Sequence, residues 1–364
     1  MTVVLSAAVS CDPPTPLDNE VRVREHTTPM IGVIPNGNDR FWKAAEWGAL
    51  QSAEKNGFLL NWAELPSPIT AQQQKAVIDR MINERVDGIV IAPHDFFFLQ
   101  ESVKKAQNAG IPVLYFGLSL SLEGKNTPSV VATDQFAAGR LAAIEMANQL
   151  GEKGRVVIIR HNPLLRSTCD REEGFLEQIK NYPDMEVIDD EVYAGSNEHL
   201  AREKIENVFH FRFRHGNAKV DGLFVSEESN ARETLQFLRA NREFADNVFV
   251  AFGSSAELIN SLQTYYVNAL VMEQPAIIGK KAIDSMARLF YDETLAPLND
   301  SGVFVLTLEN FDAPYAKALI NLNTLDEITP PLLQPPQNED EEEKNENFET
   351  AEILEYFEHD TVAR

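Results

Sequence analysis

From residue 29 onward, short β-branched runs alternate with amphipathic helical stretches, and this alternation narrows the fold more than any other property of the chain. Strand-like runs fall at 30–34, 58–62, 88–92, 112–116, 129–132, 155–160, 185–189, 220–225, 247–251, 266–272 and 302–306. Helical periodicity fills the gaps, as at 42–56, 69–84, 98–109, 135–150, 170–180 and 275–291. Gly57, Gly110 and Gly151 stand where a helix C-terminus favours a left-handed residue. Such alternation implies an α/β chain with parallel sheets and right-handed crossovers. Two series of five or six strands, divided near Asp134, suggest two similar lobes rather than one very wide sheet. A single large barrel is the competing layout. The short runs at 129–132 and 266–272 read as hinge crossings, and 302–306 as a third.

Within that pattern, the first strand-to-helix turn is the most informative for function. The apolar run from Met30 to Ile34 breaks into a polar loop containing Asn38 and Asp39, which delivers Phe41 and Trp42 to the first turn of a helix. In open α/β sheets, ligands bind at the carboxyl ends of the strands. Aromatic rings beside amides and carboxylates at that edge suit a small polar ligand with apolar faces. The stretch holds no nucleophile and no metal cage, so it reads as binding rather than chemistry. Phe41 and Trp42 could instead pack the helix onto the sheet; being adjacent, one can face inward and the other the cleft.

The formal charge of −24 argues against nucleic acid, because phosphate recognition needs clustered Lys and Arg. Part of that charge is local: residues 339–364 hold eleven Asp and Glu against Lys344 and Arg364. This stretch, 330–364 with its Pro-rich lead-in, cannot bury enough apolar surface to fold alone. Phe348 to Phe357 has helix-like spacing, and a docking peptide there is the alternative to a solvated tail. No apolar run approaches the roughly 20 residues that span a bilayer.

Two cysteines imply no disulfide framework. Cys11 follows a short run of apolar and small residues and precedes a Pro-rich stretch, which resembles the lipobox of a bacterial lipoprotein, with Cys11 as the acylated residue. No basic residue precedes the run, and Ala8 stands where leucine is usual. The competing reading is a frayed N-terminus with an incidental cysteine. Cys169 has no base beside it and reads as structural. His94, between Pro93 and Asp95, reads as a turn residue without a second metal ligand at the required spacing. His210 and His215 flank a short basic-aromatic patch that reads as a solvated helix end. No phosphate loop or hydrolase motif is present, and neither a cofactor nor a metal is expected.

Several motifs in order resemble the ribose-binding-like, type I periplasmic binding proteins of ABC importers. Phe41-Trp42 with Gly48-Ala49 matches the opening aromatic pair and helix. Val86 to Asp95 matches the second-strand segment, and Ala109 to Leu114 the third. Thr133-Asp134 with Ala138-Gly139 matches the first hinge and its helix. Arg171 to Phe175 matches the arginine-bearing helix of the second lobe. Val220 to Asn230 matches a further strand and ligand loop, and Glu273-Gln274-Pro275 the late hinge. The resemblance runs from about Thr28 to Asn310. It implies two Rossmann-like lobes joined by a three-crossing hinge, one of residues 29–133 with 274–302 and one of 134–273 with 303–312, after a leader and linker of 1–28.

The resemblance also implies a cleft between the lobes. Asn38, Asp39, Phe41 and Trp42 would form its first wall, with Phe116 a further apolar face. Asp134 would sit at the hinge and Arg171 would take the sugar-hydroxyl arginine's place. Glu227 would replace a ligand amide and Glu273 the usual hinge glutamine. Two carboxylates that the family commonly uses to grip hydroxyls are absent: their places hold Gly117 and Gly253. A hydroxylated ligand in a changed orientation, or one carrying an amine, remains open. The implied role is a monomeric periplasmic binder, lipid-anchored through Cys11, that passes a sugar-like solute to an ABC permease or presents it to a membrane sensor. A repressor would need a basic helix-turn-helix ahead of the first strand, and none stands there. A sugar-processing enzyme using Glu227 and Glu273 as acid and base is the remaining alternative.

Overall fold

The computed structural model describes residues 28–118, 128–210 and 220–324. Cys11, His215 and the acidic tail lie outside them. Two six-stranded sheets organise the chain. The first contains β1 (Met30–Ile34), β2 (Leu59–Trp62), β3 (Gly88–Ile91), β4 (Val113–Phe116), β5 (Val130–Ala132) and, from much later in the chain, β11 (Leu298–Asp300). Its order is β11-β5-β4-β3-β1-β2. The second contains β6 (Lys153–Arg160), β7 (Asp184–Tyr193), β8 (Gly222–Val225), β9 (Val248–Phe252), β10 (Ala269–Glu273) and β12 (Val303–Thr307), in the order β12-β10-β9-β8-β6-β7. Every pairing is parallel except β10 with β12, which runs antiparallel from Ala269↔Thr307 to Glu273↔Val303.

The helices begin and end where local chemistry dictates. In α1 (Arg40–Asn56) the Asp39 carboxylate accepts the Phe41 and Trp42 amides, and Gly57 closes the helix at φ 69°. A capping box of Thr70 and Gln73 opens α2 (Ala71–Glu84), and Asp95 caps α3 (Phe96–Asn108). Asp134 caps α4 (Gln135–Leu150), which Gly151 ends at φ 63°. Gly110, by contrast, lies one residue beyond the α3 C-cap, Ala109. The second lobe adds α5 (Arg166–Ile179), α6 (Glu198–Val208), α7 (Glu228–Ala240) and α8 (Ala256–Gln263). After them come α9 (Pro275–Phe290), back in the first lobe, and α10 (Pro314–Thr324).

In each lobe one helix pair is pressed together through glycine. A Cβ on Gly48 of α1 would lie 1.9 Å from the Ala276 carbonyl oxygen of α9, and one on Gly279 would lie 1.8 Å from that of Ala45. In the second lobe a Cβ on Gly139 of α4 would lie 1.9 Å from the Arg171 carbonyl oxygen of α5. Around these pairs each sheet is buried on both faces. Val33, Val90, Leu114 and Ile283 pack on one side of the first sheet, and Ile34, Ile89, Ile91 and Met81 on the other. Phe175 stacks on Phe224 at 4.1 Å in the second lobe.

Three strand ends lead directly across between lobes: β5 into α4 at Thr133, β10 into α9 at Gln274, and β11 into β12 at Ser301. They lie side by side. The Thr133 and Ser301 hydroxyls are 3.0 Å apart, the Asp134 amide donates to Asp300 Oδ1 at 2.8 Å, and Gln274 Nε2 donates to the Ser301 carbonyl at 3.4 Å. The runs at 129–132 and 266–272 are thus full strands whose crossings begin where they end. Two features depart from the expected pattern. β11 is a twelfth strand, too short and too polar to show as a period in sequence. The chain also continues past 312 into α10, whose Ala316 and Leu319 join the second lobe's core while Leu322 packs on Trp47 and Ala276 of the first.

A methyl group forced into the α1–α9 contact would meet backbone rather than a yielding side chain. Gly48→Ala should therefore destabilise the protein by about 1–3 kcal/mol, as overpacking does. Urea unfolding reads this directly, and an unchanged midpoint would mean that the two helices slide apart freely.

Candidate ligand-binding cleft

The carboxyl ends of both sheets feed loops toward one cavity of about 590 Å³, within the range of small-molecule sites. Asp39, Arg40 and Phe41 line it from the β1–α1 turn. From the second lobe come Arg171, Glu227, Glu228 and the segment Phe252, Gly253, Ser254 and Ser255, with Glu273 and Pro275 at a crossing. Of the nine residues expected from sequence, Asp39, Phe41, Arg171, Glu227 and Glu273 are therefore brought together.

Asn38, Trp42, Phe116 and Asp134 stand outside this lining. The Asn38 amide donates to the Leu65 carbonyl at 2.6 Å and shapes the loop. Trp42 is 7% exposed, with Phe41 and Phe116 edge-on to it at 5.1 and 5.5 Å. Its indole occupies the space that side chains at Gly37 and Gly117 would need: a Cβ on Gly117 would lie 2.9 Å from Trp42 Cη2. Phe116 has no exposure and packs against Trp42 and Trp62, because its position in β4 faces the helices rather than the strand end. Asp134 uses its carboxylate to cap α4 through the Ala137 amide. Of the aromatic pair, Phe41 is the ring at the cavity and Trp42 is the ring beneath it.

Arg171 organises the second wall. It lies in the second turn of α5, which begins at Arg166, four residues ahead of the expected start. The residue is 8% exposed and its guanidinium is engaged through each nitrogen. Nε donates to Gln135 at 2.5 Å, Nη1 to the Ser226 carbonyl at 3.1 Å and Nη2 to Glu273 at 3.1 Å, over the Phe252 ring at 4.3 Å. Gln135 in turn donates to the other Glu273 oxygen at 2.8 Å. Gln135 escapes sequence reasoning, since a glutamine beginning a helix carries no signal of its own. Gln74 escapes it too: fully buried, it donates to the Pro35 and Ala92 carbonyls and ties the β1 and β3 loops together.

Glu227 is both wall and cap, its Oε2 accepting the Ser229 and Asn230 amides of α7. Glu228 reaches across to the Ser254 amide at 2.7 Å. Behind them lies a polar layer. His161 is bonded to Ser196 and Asn230, and Glu172, 2% exposed, accepts from Ser226 Oγ at 2.7 Å and from the His161 amide at 3.2 Å. Burial pushes the Glu172 carboxyl above its ordinary range, against the pull of these bonds and of Arg160. Burial, with the neighbouring carboxylates, also raises the Cys169 thiol, the reverse of what a nucleophile needs. Among the described residues no cluster of His, Cys, Asp and Glu could hold a metal.

The model of the family described as a periplasmic binding protein domain matches residues 31–294. The ribose import binding protein RbsB of Bacillus subtilis (strain 168) is 23% identical over 292 residues, covering 78% of this chain and 89% of the relative. A xylitol-binding protein of Mycolicibacterium smegmatis is 27% identical over 213 residues, 58% of each chain. Among solved structures, an ABC transporter solute-binding protein of Agrobacterium vitis bound to α-D-tagatopyranose superposes with a TM-score of 0.64 at 22% identity, over 80% of this chain and 99% of the other. At that identity the likeness speaks to fold.

The raised Glu172 carboxyl has a pH consequence. Its folded form holds the proton more tightly than the unfolded chain, so this group's contribution to stability falls as pH rises from the ordinary value of 4.5 through the raised one. Glu172→Gln should flatten that part of the curve when urea midpoints are measured against pH. An unaltered slope would place the dependence on other groups.

Proposed function

Because this chain belongs to the periplasmic binding protein family, we propose that it captures a small polyhydroxylated solute, a sugar or polyol, between its two lobes. The observation that carries this reading is the cavity lined from both sheets, with an aromatic ring on one wall and, on the other, an arginine held through each of its three nitrogens with two N–H donors left over. The ring of Phe41 suits the apolar face of a sugar. Arg171 and the carboxylates supply charge-assisted hydrogen bonds for hydroxyl groups. The adjacent crossings provide the place where closure would bend the backbone. Relatives with import and polyol-binding roles support the same ligand class.

In this reading the ligand leaves unchanged. The protein works as a monomer at the periplasmic side and hands its solute to an ABC permease, with presentation to a membrane sensor as the alternative fate. No sugar chemistry is assigned to Glu227 or Glu273, because the first is tied to α7 and the second to Arg171. Cys11 is the proposed acyl anchor.

A thermal-shift screen over pentoses, hexoses and alditols tests the capture. A true ligand at a hundredfold its Kd should add about 2.7 kcal/mol of stability. Arg171→Ala should abolish the shift, and Phe41→Ala, which is half-buried and safer for folding, should weaken binding about tenfold. Full response by both variants would remove this cleft from consideration. In cells, Cys11→Ser should move the protein from the membrane fraction to the soluble one, whereas unchanged fractionation would refute the anchor.

A further inference from the structure

The cleft is not electrically balanced. Four carboxylates line it, from Asp39, Glu227, Glu228 and Glu273, against the two guanidiniums of Arg40 and Arg171. Arg171 already faces Glu273 at 3.1 Å. The other acids are held chiefly by amides rather than by that arginine: Asp39 by the first turn of α1, Glu227 by the first turn of α7 with the His161 ring 3.7 Å away, and Glu228 by Ser254. Amide dipoles hold a carboxylate in place without supplying a compensating full charge. A neutral ligand would leave the excess negative charge at the cleft unanswered, and an anionic one would add to it.

The position of Glu228 gives this charge a direction. A Cβ on Gly253 would lie 2.7 Å from Leu258 Cδ1, 2.9 Å from Glu228 Cγ and 3.0 Å from Glu228 Oε2, so the leucine and the glutamate together occupy the space a side chain at 253 would take. Gly253 has φ 144°, a conformation that side chains disfavour, and the exchange is therefore built into the backbone. The bonds of Glu227 and Glu228 fall on Oε2, which leaves Oε1 of each without a hydrogen-bond partner among the described residues. Ser255 Oγ, on the same wall, is buried and also lacks a partner among the described residues. In the first lobe, beneath Phe41, the indole of Trp42 fills the space beside Gly117. Acceptors are thus concentrated on the second lobe. An ammonium group, with three donors and no acceptor, meets them better than a hydroxyl does.

We propose that the ligand is an amino-bearing polyol, such as an amino sugar or amino alditol, whose ammonium group is received by Glu227, Glu228 and Ser255 while Phe41 covers its apolar face. This inference rests on the cleft reading above and specifies the ligand class of the same site.

Calorimetric titration of the full chain at neutral pH tests it with paired probes: D-glucosamine, D-galactosamine and D-glucamine beside D-glucose, D-galactose and D-sorbitol. At least one amine should bind about tenfold or more tightly than its neutral parent, equivalent to about 1.4 kcal/mol. Glu228→Gln and Glu227→Gln should each bring that ratio toward one, with unliganded melting temperatures recorded to confirm folding. The preference should also shrink as salt is raised. If neutral probes bind equally or better, and Arg171→Ala abolishes that binding, the amine assignment is overturned and the capture reading stands. If no probe of either kind binds, both fall.

Discussion

One buried arginine holds the cleft together. Arg171 reaches α4 through Gln135, the end of β8 through the Ser226 carbonyl and the end of β10 through Glu273, with its guanidinium laid on Phe252. Removing a charge from water costs several kcal/mol unless every face of it is answered, and here each nitrogen has a partner. Its backbone is equally constrained, because Gly139 lets α4 approach to the Arg171 carbonyl itself. The side chain therefore has little freedom, and a ligand meeting it encounters a group already oriented.

The same bonds connect the cleft to the crossings between lobes. Gln135 is the first residue of α4, just beyond one crossing, and Glu273 is the last of β10, just before another. Both side-chain partners of the guanidinium thus stand one or two positions from segments that cross between the lobes. α10 adds a further link, since the Tyr315 hydroxyl donates to Gln274 at the crossing while Leu322 rests on the first lobe.

The acidic residues at the cleft do two jobs at once. Asp39 and Glu227 are helix caps by their Oδ1 and Oε2 contacts, yet both line the cavity. A strand's carboxyl end is where the following helix begins, so cap and ligand residue are drawn from the same few positions. Asp134 shows the other outcome: its place at a crossing gives it a cap and the neighbouring Asp300, but no share of the cavity wall.

The sequence by itself determined the strand–helix alternation, the division into two sheets and the limits of six helices to within a few residues. These follow from local periodicity and capping, which are encoded within a few residues. Asp39 and Phe41 are legible at a strand end, whereas Arg171, Glu227 and Glu273 come from the family resemblance; all five line the cavity. Tertiary structure alone decided which ring of the Phe41–Trp42 pair is covered, since that depends on the room left by Gly37 and Gly117 from different loops. It alone sent Phe116 into the core, recruited β11 to the first sheet and α10 to both lobes, and set Glu228 over Gly253. Each of these is a contact between residues distant in the chain, and no local pattern specifies which distant neighbour will fill a given space.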